Sequence, residues 1–190
     1  MKRLGTLVLL TLLLFGFVEH SLAAEKSWLP ENRQVRVGLS AGQFLSDDLG
    51  VRTQLFGPML RYEFVINPRF HLGLQTSYRY GNLETEDGKA SKHLYQLAYG
   101  TVFQHRLGMA EALSPFYVSY GLLMQVIKEE GVVGRGTAHN TRMALGAELS
   151  FAQNTAVNFV ELAYNYSRLH YFGTDEKSLD YLELNLGVRI

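Results

Sequence analysis

From residue 35 onward, apolar and polar positions alternate with a period of two in eight separate segments. Each segment keeps long aliphatic and aromatic side chains on one face and mostly Gly, Ala, Ser, Gln, Arg and Glu on the other, as successive residues of a strand do. In the first, Val35, Val37, Leu39 and Ala41 oppose Arg36, Gly38, Ser40 and Gly42. The second sets Pro58, Leu60, Tyr62, Phe64 and Ile66 against Gly57, Met59, Arg61 and Glu63, and the third runs from Phe70 to Tyr80 after the turn Asn67-Pro68-Arg69. Further segments run from Tyr95 to Gln104, Phe116 to Val126, Arg142 to Phe151, Val160 to Ser167 and Leu182 to Ile190. At about ten residues each, they match the ~9–11 that a tilted strand needs to cross a hydrocarbon layer.

The charges decide which face meets which medium. Within the segments, Arg36, Arg61, Arg79, Arg142, Arg189, Glu63, Glu148, Glu161 and Glu183 all lie on the small-residue face, while Asp and Lys are assigned to the connections and the N-terminal arm. A lipid-facing charge near mid-bilayer costs about 2–4 kcal/mol, so a membrane barrel turns such residues inward, where opposite charges must pair. The sequence therefore predicts an all-β, eight-stranded, antiparallel up-and-down transmembrane β-barrel with an interior plugged by Arg/Glu pairs. A gated leak through that interior is the alternative reading of the same residues.

Two further patterns agree with this. Long polar connections fall at Leu45–Thr53, Gly81–His93, Lys128–His139 and Leu169–Asp180, and short ones at 67–69 and 152–155, with an intermediate one at 108–115. Outer-membrane barrels place long loops outside the cell and short turns in the periplasm, which predicts periplasmic termini. Outward aromatics form two girdles: Phe64, Phe70, Phe103, Phe116 and Phe151 at the short-turn ends, and Tyr78, Tyr80, Tyr95, Tyr164 and Tyr166 at the long-loop ends.

The N-terminus carries Lys2 and Arg3, an apolar stretch from Leu4 to Val18, and the small residues Ser21-Leu22-Ala23-Ala24. It reads as a signal peptide over residues 1–23, cleaved after Ala23 or Ala24, leaving 24–190 as the barrel; the stretch is short for a membrane anchor, the alternative. Of the 18 basic and 18 acidic residues, setting aside Lys2, Arg3 and Glu19 leaves 16 and 17, so no charge excess points to nucleic acid as a partner. The chain has no cysteine, which removes disulfides, thiolate metal sites and a lipid-bearing cysteine, and anchoring falls to the fold itself.

On these residues the chain resembles the small eight-stranded outer-membrane proteins of the OmpA transmembrane domain, OmpX and OmpW types. The most specific stretch is Leu184-Asn185-Leu186-Gly187-Val188-Arg189-Ile190, which looks like the C-terminal strand read by the barrel-assembly machinery, with Gly187 and Ile190 as its marks. Ile190 departs from the aromatic residue usual at that end. The resemblance implies a monomer whose partners are outer-membrane lipid, lipopolysaccharide and, during biogenesis, the assembly machinery. Its role is structural or a matter of surface interaction; the OmpW likeness implies instead a narrow channel or lateral conduit for small or apolar molecules.

Two other classes match the residues less well. Lipid-A-modifying barrels carry a His-x-Ser-Asn motif on an outward strand face; the nearest string here, His139-Asn140-Thr141, has the wrong spacing, so no catalytic residue is assigned. A soluble ligand-binding barrel would carry apolar residues inward, the reverse of these faces. His71, His93, His105, His139 and His170 are scattered without ligand spacing, so neither metal nor cofactor is expected.

Overall fold

The computed structural model describes residues 32–45, 51–85, 91–108, 115–129, 136–149, 157–170 and 177–190. They form eight strands: β1 (Arg33–Phe44), β2 (Val51–Asn67), β3 (Phe70–Thr85), β4 (Ser91–Arg106), β5 (Phe116–Glu129), β6 (Gly136–Leu149), β7 (Val157–His170) and β8 (Lys177–Arg189). Each strand pairs antiparallel with its sequence neighbours, and β1 pairs with β8, closing an up-and-down barrel. Closure leaves no unpaired edge, as a barrel crossing a membrane requires of its backbone.

The seam is held by register Arg36↔Arg189 through Phe44↔Tyr181. Ile190 extends it: its N–H donates to the Val35 carbonyl (2.9 Å) and its carbonyl accepts from the Val35 N–H (3.0 Å). Gly187 faces Gly38 across this seam, and a Cβ on Gly187 would stand 2.2 Å from the Val37 carbonyl oxygen. The two residues read as an assembly signal thus have a structural task at the join.

The face assignments made from the alternation agree with accessibility at most described positions, though Gly38, Gly57, Gly100 and Arg189 on the inward parity are half-exposed. Leu60, Leu74, Leu97, Leu122, Leu145, Leu162 and Leu184 are exposed on the outer wall, and most intervening residues are buried. Val188 shares the outward parity yet is buried.

The strands are longer than the apolar pattern predicts, at 12 to 17 residues. Pairing continues into the stretches expected to be long connections: residues 81–85, 91–93, 136–139 and 177–180 are strand. Lys92, Lys128, Lys177 and Asp180, assigned to loops from their charge, lie in strands. The reason is that an antiparallel ladder needs only backbone partners, so pairing continues past the point where the side chains stop being apolar.

Candidate functional site

Eight strands enclose a lumen just wide enough for side chains to fill. At the end where β1 begins and β8 ends, called here the terminal end, long charged residues from six strands meet across it. Arg36 on β1 places Nε 2.8 Å from Oε1 of Glu63 on β2 and donates through a terminal nitrogen to Glu148 of β6 at 2.5 Å. Arg61 on β2 pairs with Glu161 of β7 at 2.8 Å and donates to Gln75 Oε1 at 2.7 Å and 3.0 Å. Glu161 also pairs with Arg142 and accepts from Ser119 (3.2 Å) and Asn185 (3.3 Å). Glu148 takes Arg189 of β8 at 2.7 Å and Arg106 of β4 on the same oxygen, while His71 Nδ1 stands 3.3 Å from Glu63.

Small residues make this crossing possible. Tyr117 reaches inward beneath Arg36, whose guanidinium carbon lies 4.8 Å from the ring centroid and whose terminal nitrogen donates to the hydroxyl at 2.8 Å. The ring occupies the space left by Gly146: a Cβ there would lie 2.2 Å from it. Phe159 covers the Arg36 guanidinium at 5.2 Å to the ring centroid, so this cation has aromatic as well as carboxylate neighbours.

The nine predicted lumen residues do not form one cluster. Arg36, Arg61, Glu63, Arg142, Glu148, Glu161 and Arg189 gather at the terminal end, whereas Arg79 and Glu183 form a separate pair (2.8 Å) farther along. Ser40 (3.1 Å) and Asn165 (2.9 Å) also donate to Glu183. A buried amide and hydroxyl layer of Gln125, Asn140 and Tyr181 follows, and Gln125 Nε2 donates to the Tyr181 hydroxyl at 2.5 Å.

Sequence reasoning missed two parts of this site. Arg106 continues the inward parity of Gln96, Ala98 and Gln104, so carrying the alternation one step further would have found it. At the end away from the termini, Phe44, Leu55, Leu94, Ile127, Ala138 and Tyr181 pack together inside the lumen. All but Ala138 are large aliphatic or aromatic residues lying on the inward parity just outside the segments read from the alternation.

On the outer wall, Phe64, Phe103 and Phe116 and Tyr78, Tyr80, Tyr164 and Tyr166 are exposed, and Phe70 and Tyr95 are half-buried. Phe151 lies outside the described residues. Phe70 stacks on His105 (4.5 Å between centroids), and Tyr80 meets Tyr95 at 5.3 Å. Phe56, Tyr99 and Tyr120 are exposed outward as well, so the aromatics extend beyond the two predicted bands.

No protein-family model matches the chain, and no curated protein matches it by sequence. Solved structures do match in fold. Neisserial surface protein A aligns with a TM-score of 0.59 and 17% identity over 84% of this chain and 97% of its own. The outer-membrane protein OprG of Pseudomonas aeruginosa gives 0.49 and 11% over 83% and 93%. The N-terminal β-barrel domain of OprF from the same organism gives 0.44 and 18% over 83% and 97%. The fold is thus that of the small eight-stranded outer-membrane barrels; the first of these likenesses carries that statement, and at such identity it extends to the fold alone.

Proposed function

We propose that this chain is a monomeric bacterial outer-membrane barrel, with periplasmic termini, whose role is structural or one of surface interaction and whose lumen is closed to solutes. The single observation that carries this is the ion-paired crossing of the lumen, in which Glu148 and Glu161 each join arginines from different strands. A buried charge network of this kind resists opening, because separating one partner leaves the other unpaired in a low-dielectric interior. The apolar outer wall supports a lipid environment: large hydrophobic side chains cover it in a continuous band, far beyond the patch size a soluble monomer tolerates.

On this reading the partners are outer-membrane lipid and lipopolysaccharide, and the assembly machinery during biogenesis, with the C-terminal strand ending in Gly187 to Ile190 as its signal. Export depends on residues 1–23 as a cleaved leader. The rim away from the termini is the recognition surface, since loops on a rigid scaffold commonly carry binding. No catalysis is assigned.

Cell fractionation and liposome swelling test the proposal together. The protein is expected in the outer-membrane fraction, migrating differently on gels before and after boiling, and liposomes containing it should swell in small sugars no faster than empty ones. Recovery in the soluble periplasm contradicts the membrane reading. Rapid swelling contradicts the closed lumen and favours a conduit.

A further inference from the structure

The lumen's two halves differ in charge balance. In the half away from the termini, Arg79 faces Glu183 one to one. At the terminal end, the guanidiniums of Arg36, Arg61, Arg106, Arg142 and Arg189 share the carboxylates of Glu63, Glu148 and Glu161, so among the described side chains of this network the arginines exceed the carboxylates by two. The imbalance is sharpest at Glu148, where Arg106 and Arg189 lie on one oxygen and Arg36 on the other. An arginine does not relieve this by losing its proton, as a lysine or histidine can, so an added anion is a direct way to offset the excess that the α-carboxylate of Ile190 leaves.

The place for that anion is the mouth. Arg106 and Arg189 are the least buried members of the network, with side chains 16% and 15% exposed, whereas Arg36, Arg61 and Arg142 are sealed inside. Arg106 Nε is buried with no hydrogen-bond acceptor among the described residues. Exposed Arg33 and half-exposed Arg69 stand on the same rim, and the side-chain carboxylates of the network, Glu63, Glu148 and Glu161, are all buried.

We infer that the terminal mouth of the barrel, at Arg106 and Arg189, is a binding site for a phosphate-class oxyanion. Two guanidiniums that now share one carboxylate oxygen would each gain an acceptor of their own, and the planar donor fork of arginine fits phosphate oxygens in pairs. The inference rests on the ion-pair network proposed to close the lumen, but not on closure itself, and its test reads no conductance.

The full chain, folded in zwitterionic micelles, is titrated with inorganic phosphate or with chloride at matched ionic strength, and the thermal midpoint is followed by gel migration. Phosphate should raise the midpoint saturably by a few degrees beyond chloride. In Arg189→Gln, and independently in Arg106→Gln, that rise should be lost. Repeating the titration with phosphatidylglycerol in place of inorganic phosphate separates a lipid headgroup from a free ion as the source. A midpoint indifferent to both additives overturns the inference, as does a variant that melts lower yet keeps its phosphate response.

Discussion

Glu161 is the most heavily committed side chain in the lumen, with Arg61, Arg142, Ser119 and Asn185 all directed at it and no exposure to solvent. Replacing it by Gln keeps the shape but leaves two buried guanidiniums without their carboxylate, which should cost about 3–5 kcal/mol. Glu148→Gln should cost less, since Glu148 is 7% exposed and two of its partners reach toward the mouth. Urea midpoints in micelles check the order; equal midpoints for the two variants would mean that burial does not set the worth of these pairs. All nine charged positions were legible in the sequence as inward, because parity along a strand is a local property. Their partners were not: Arg36 meets Glu148 from 112 residues away, across a lumen whose facing strands are fixed only when β1 closes on β8.

β6 puts the face assignment to its sharpest test, because adjacent residues serve opposite media. Leu145 is 57% exposed on the outer wall, and Leu145→Arg should destabilise the inserted barrel by about 2–4 kcal/mol or block insertion. Its neighbour Gly146 faces inward under the Tyr117 ring, and Gly146→Ala should cost about 1–3 kcal/mol by overpacking. Refolding into vesicles distinguishes them: the first effect should shrink in thin, short-chain bilayers and vanish for Leu145→Met, whereas the second should be insensitive to lipid. The strands themselves were legible from periodicity, but their ends were not. At Thr137↔Val126 and Arg168↔Ser178 the ladder runs on through polar residues, and side-chain polarity carries no information about backbone pairing.

At the scale of the whole molecule, the proposed closure of the lumen rests on two layers: an ion-paired one near the end where β1 begins and β8 ends, and an apolar cluster of Phe44, Leu55, Leu94 and Ile127 near the opposite rim. An ion entering from either side meets an obstacle, first charge pairs that must separate, or first a dry constriction that must wet. The ionic layer is legible from inward Arg and Glu, whereas the apolar one is not, because its residues sit beyond the ends of the alternating segments, where polar neighbours break the pattern. Closure at both levels makes the molecule's behaviour in a planar bilayer the most direct measurement. Purified wild-type protein should give no steady conductance above the bare membrane, and Glu148→Gln should introduce brief small openings or leave the record silent at a lower unfolding midpoint. A large, steady wild-type conductance unchanged by Glu148→Gln would contradict the closed lumen.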